Sequence, residues 1–125
     1  MIINIEHIAI KVADIPAMAE AFAALQFDCG KVRQYPEVGI DIAFLGYGET
    51  KIELLQMTDS ASPISHDPYG LHHVALKTKD IEAIFDIVSK NDLFIVDSEI
   101  MQGSCSRIFF FRIRTQKEIL FECSE

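Results

Sequence analysis

With 125 residues, half of them hydrophobic and 24% charged, the chain fits one domain and is long enough to bury a real core. A formal charge of -8 argues against a nucleic-acid or anionic-membrane partner, because such binding is driven by neutralising phosphates with Lys and Arg. No apolar run approaches the roughly 18 residues of a membrane span, and the opening residues alternate Ile with Asn, Glu and His, so the pattern is that of a soluble, cytoplasmic protein.

Residues 2 to 12 read as a strand in which Ile8, Ile10 and Val12 alternate against His7, Ala9 and Lys11. Asp14 follows as a helix N-cap with Pro16 in the first turn, and Ile15, Met18, Ala19 and Phe22 form a helical stripe ending near Asp28 to Gly30. Three strands come next, at about 31 to 35, 40 to 45 and 50 to 56, and Gly46-Tyr47-Gly48-Glu49 marks a hairpin between the last two. Residues 57 to 70 are rich in turn formers and carry no period, so they read as a connector. A second series then repeats the order: strand 71 to 78, Asp80 as cap, helix 81 to 91, and strands near 93 to 98, 107 to 113 and 118 to 123.

The two series are copies. Residues 7 to 17 recur 66 positions later as residues 73 to 83, with six of eleven columns identical: His7/His73, Ala9/Ala75, Lys11/Lys77, Asp14/Asp80, Ile15/Ile81 and Ala17/Ala83. The expected fold is therefore α+β, one domain over 1–125 built of two tandem βαβββ units, 1–56 and 71–125, joined by the connector 57–70. Each unit would present a sheet with one face under its own helix, and His7 and His73 fall on the uncovered faces.

A second column repeats as well. Each copy ends in an apolar strand with one acid inside it, Glu53 in Lys51-Ile52-Glu53-Leu54 and Glu122 in Leu120-Phe121-Glu122-Cys123, 46 and 49 residues after the repeated histidine. A carboxylate inside a buried strand is costly unless paired or metal-bound. Two imidazoles and two carboxylates would supply four ligands to one divalent ion and roughly neutralise it, and such mixed donors suit Co, Zn, Ni, Mn or Fe alike.

The remaining candidates read as ordinary. His72 adjoins His73 and so points to the other face; Gln56 lies opposite Glu53; His66 sits among Ser, Asp and Pro as a solvated loop residue. Cys29, Cys105 and Cys123 are odd in number and show no Cys-x-x-Cys spacing, which suits reduced thiols, and Cys105 has no evident base to activate it. Arg107, Arg112, Arg114 and Lys117 form a basic cluster that could reverse the charge locally for an anionic ligand.

Paired βαβββ units with His…Glu…His…Glu resemble the vicinal oxygen chelate superfamily, which includes glyoxalase I, extradiol dioxygenases, resistance proteins and methylmalonyl-CoA epimerase. Glu6-His7-Ile8-Ala9-Ile10, the stretch from Ile42 through Leu55, Ser62-Pro63-Ile64 and Gly70-Leu71-His72-His73-Val74-Ala75 are most similar to the epimerase branch. The resemblance implies a central metal cleft with His7, Glu53, His73 and Glu122 as ligands. It also implies a metal that polarises a carbonyl while Glu122 or Glu53 moves the proton on the adjacent carbon. The implied substrate is a small molecule, an acyl-CoA thioester by preference, and the implied assembly a homodimer. A glyoxalase I-type lactoylglutathione lyase uses the same ligands, and a resistance-type binding protein keeps the fold without catalysis; both are alternatives. Gly103-Ser104-Cys105-Ser106 and Thr115-Gln116-Lys117-Glu118 depart from the epimerase pattern, which puts the decision about substrate in residues 99 to 118.

Overall fold

The computed structural model describes residues 1–125. In chain order its elements are β1 (Ile2–Lys11), α1 (Ile15–Ala24), β2 (Asp28–Cys29), β3 (Arg33–Tyr35), β4 (Ile40–Tyr47), β5 (Thr50–Met57), β6 (Gly70–Thr78), α2 (Ile81–Lys90), β7 (Phe94–Val96), β8 (Met101–Gln102), β9 (Arg107–Ile113) and β10 (Gln116–Ser124). Two compact units arise from these, a first of His7–His72 and a second of Met1–Glu6 with His73–Glu125. The divisions fall within β1 and at the His72-His73 pair.

In the first unit the strands run β2-β4-β5-β1, with β3 also on β4. β1 lies parallel to β5, an arrangement that needs a crossover, and α1 begins that return. Asp14 Oδ1 accepts from Ala17 N at 3.1 Å and so satisfies one of the helix's free donors. The helix buries Ile15 against Val12, Ala43, Leu45 and Leu54, with Met18, Ala19 and Phe22 packed around them. Glycine at 48 supplies the positive φ of +60° for the tight turn between β4 and β5.

The helical stripe suggested an end near Asp28, but α1 stops at Ala24. Gln26 takes φ of 73°, which turns the chain out of the helix, and Phe27 N returns to Phe22 O at 3.1 Å. The Phe27 ring then packs against Phe22 at 5.1 Å, so it faces the core without continuing the helix. Asp28 and Cys29 are thereby free to pair with Gly46 and Leu45 of β4.

The second unit repeats the plan. Its strands run β6-β10-β9-β7, with β8 also on β9, and β6 is parallel to β10. Asp80 caps α2 through Ala83 N at 3.0 Å, and Ile81, Ile84 and Val88 pack against Phe109, Phe111 and Cys123. In both units the strand after the helix is broken into two short pieces that pair along one neighbour, β2 and β3 on β4, β7 and β8 on β9. With those pieces counted as one, each unit is βαβββ and the fold is α+β.

The connector is structured. Ser62 N, Ser65 N and Asp67 N bond in succession to Asp59 O, Ser62 O and Ile64 O. Ile64 is buried with Ala9 and Leu55, flanked by Ile40, Ile42 and Met57, on the sheet face away from α1. No helix is long and apolar enough to cross a membrane.

Candidate metal centre

In β1, alternation puts His7, Ala9 and Lys11 on the face away from α1, and all three are buried. The parallel register sets Ala9 beside Glu53 of β5. Alanine leaves the carboxylate room, and His7 Nε2 approaches Glu53 Oε1 at 3.5 Å. Phe44, directly across β4 from Glu53, meets the His7 ring edge-on, with centroids 5.5 Å apart and planes at 84°.

The second unit builds the same group from the other copy. Ala75 of β6 lies beside Glu122 of β10, and His73 Nε2 is 3.3 Å from Glu122 Oε2. Phe110 stands across β9 from Glu122 and meets His73 edge-on at 5.5 Å and 82°. The repeat therefore persists in register, distance and ring geometry. His7, Glu53, His73 and Glu122 are each between 4% and 6% exposed, in a position where ionised carboxylates are costly without a partner.

Each pair has donors of the kind a divalent ion takes, an imidazole nitrogen and a carboxylate oxygen. Two such donors about 2.1 Å from a tetrahedral ion stand about 3.4 Å apart, which agrees with both pairs. The His72 Nε2 to Asp67 Oδ2 contact, at 2.8 Å, has ordinary hydrogen-bond length instead. By donor chemistry and by spacing, the residues present fit a metal.

The model of the glyoxalase/bleomycin resistance protein/dioxygenase superfamily matches residues 6–111. The chain belongs to that superfamily. It is similar to the ethylmalonyl-CoA/methylmalonyl-CoA epimerase of Cereibacter sphaeroides, with 33% identity over 92 residues covering 69% of each chain. It is also similar to the mitochondrial methylmalonyl-CoA epimerase of Bos taurus, with 33% identity over 116 residues covering 86% of this chain and 65% of the bovine one. The chain thus spans about two thirds of the length of these curated relatives. Among solved structures, a Streptomyces coelicolor methylmalonyl-CoA epimerase variant in complex with 2-nitronate-propionyl-CoA superposes with a TM-score of 0.81 at 25% identity. That match covers 98% of this chain and 96% of the other.

Within this superfamily fold the other sequence candidates take definite places. Gln56 is on the helix side, where its Oε1 accepts from Ile15 N at 2.8 Å. His66 is exposed. His72 bonds to Asp67 of the connector at 2.8 Å and belongs to neither His-Glu pair. The basic cluster has another use than charge reversal. Arg107 is held between Glu82 and Glu125, Arg112 pairs with Asp97 at 3.0 Å, and Arg114 donates to the carbonyls of Asp92 and Phe94. The hydrogen bond from Arg107 holds the Glu82 carboxyl below its ordinary range and keeps the guanidinium firmly protonated.

Three residues of the site escaped the sequence reading. Phe44 and Phe110 carry a usable signal in the repeat itself, a phenylalanine at the same 66-residue interval in the strand before each acid. Lys11, a repeat column on the His7 face, is a lysine only 3% exposed, which its residue type does not announce. Cys123 faces the α2 core, and burial first, then the charges of Glu122 and Glu125, push its thiol up to about 11. With Cys29 and Cys105 exposed and Cys123 buried, an aromatic disulfide reagent at pH 8 should titrate two thiols fast and the third only on unfolding. Three fast thiols would contradict this placement.

Proposed function

We propose that His7, Glu53, His73 and Glu122 are the four protein ligands of one divalent ion of the Co, Zn, Ni, Mn or Fe group, and that the substrate is an acyl-CoA thioester of the methylmalonyl type. The chain is an epimerase-type enzyme, as its relatives are, and moves the proton on the carbon next to a carbonyl. The observation that carries the reading is the twin arrangement itself: in each unit a buried glutamate beside an alanine, with a histidine within 3.5 Å.

When bound, the ion supplies positive charge that draws electron density from a carbonyl oxygen and makes the neighbouring C–H more acidic. The rest of the chemistry belongs to the side chains. One of Glu122 and Glu53 takes the α-proton on a carboxylate oxygen from one face of the carbon, and the other, as the carboxylic acid, delivers a proton to the opposite face, which inverts the centre. The edge-on rings of Phe44 and Phe110 fix the planes of His7 and His73 and line them with apolar surface, which keeps competing water away from the donors. A glyoxalase-type lyase shares the donor set, but the relatives that match are named epimerases, which favours the thioester.

The reading includes a cytoplasmic location, supported by the unpaired exposed thiols, and a homodimer, supported by the exposed Ile2, Ile3, Ile5 and Ile8 of β1. Sedimentation at micromolar concentration should give twice the chain mass, and a monomer would remove the dimer. The reaction is tested by α-proton exchange from methylmalonyl-CoA in D2O. Wild type should exchange, and either Glu122→Gln or Glu53→Gln should lose about 100-fold or more, the usual weight of a general base. No exchange by the wild type, or full exchange by both variants, would contradict the assignment.

A further inference from the structure

Lys11 occupies a column the two copies share, yet it behaves unlike its counterpart. Lys77, the equivalent residue in the second copy, is exposed, whereas Lys11 is 3% exposed. Its Nζ donates to Ile64 O at 2.8 Å, to Asp67 O at 2.7 Å and to Ser65 O at 3.4 Å, and lies 4.9 Å from the centroid of the Tyr69 ring. All four partners belong to the connector. A buried ammonium is tolerated only where its donors are met, and these three carbonyls meet them.

The connector so held lies beside the glutamate. Ile64 packs on Ala9 and Leu55, each two residues along its strand from His7 and Glu53 and on the same face. Two residues of strand are about 7 Å, the length of a short acyl group. The first copy thus has a wall over its site face held by the packing of Ile64, the buried Lys11 ammonium and the His72–Asp67 bond.

We propose that Lys11 is a positioning residue that pins residues 62–69 as a wall of the substrate pocket beside Glu53. It acts through the connector and touches neither the metal donors nor the reacting carbon. This rests on the epimerase reading above for the identity of the substrate, and on the fold alone for the pin.

Lys11→Met keeps the stem and removes the donor, and it separates the two parts. Amide hydrogen exchange at Ser65 and Asp67, measured without substrate, should speed up about tenfold. With methylmalonyl-CoA, KM should rise about tenfold while kcat stays within about threefold and bound metal equals that of the wild type. Unchanged connector exchange would overturn the pin. Faster exchange with unchanged KM, or a fall in kcat with unchanged KM, would overturn the wall. Should Lys11→Met not fold, Ile64→Ala loosens the connector from its apolar side and must give the same split between KM and kcat. If wild type does not turn over methylmalonyl-CoA, the epimerase reading fails by itself, and the exchange at Ser65 and Asp67 still decides the pin.

Discussion

A carboxylate set in the middle of a buried strand is the constraint to which the rest of each unit answers. Glu53 and Glu122 are each 6% exposed, and removing such a charge from water costs several kcal/mol unless neighbours compensate. The neighbours do so in one way twice over. An alanine on the parallel strand leaves space, a histidine two residues before it approaches to 3.5 or 3.3 Å, and a phenylalanine across the antiparallel strand closes the side. The parallel pairing that brings alanine and glutamate together is possible only because a capped helix begins the return between them, so the helices serve the site as much as the core.

Because the arrangement occurs in duplicate, the places where the copies differ show what is not owed to the fold. Val12 and Thr78 occupy one repeat column. The first packs under α1, while the second turns its hydroxyl to Met1 O at 3.0 Å and binds the start of the chain to the second unit. Lys11 and Lys77 differ more, one gripping the connector and the other in solvent. The second unit spends its arginines on its own structure, joining α2, β9 and the C-terminal Glu125 through Arg107. Two like His-Glu pairs therefore stand in unlike surroundings.

What could be read from the chain alone was whatever depends on local period and on comparison of one copy with the other. Alternation separated His73 from His72, and the repeated Asp14 and Asp80 marked both helix starts. Four kinds of feature escaped. The early end of α1 depends on one residue, Gln26, adopting a positive φ, for which glutamine carries no signal. The short strands β2 and β8 borrow their order from β4 and β9 and have too few residues to show a period. Phe44 and Phe110 matter through cross-strand register, which is a tertiary property. Long side chains such as Lys11 and Arg107 reach partners 53 and 25 positions away, so their roles cannot be inferred from sequence neighbours.

If the two His-Glu pairs serve a single ion, as proposed, the metal content must depend on both histidines. Elemental analysis of the purified protein, alongside His7→Ala and His73→Ala, tests it directly. The account predicts one divalent metal per wild-type chain and loss of that metal in both variants. Two ions per chain, none, or full retention in either variant would contradict it.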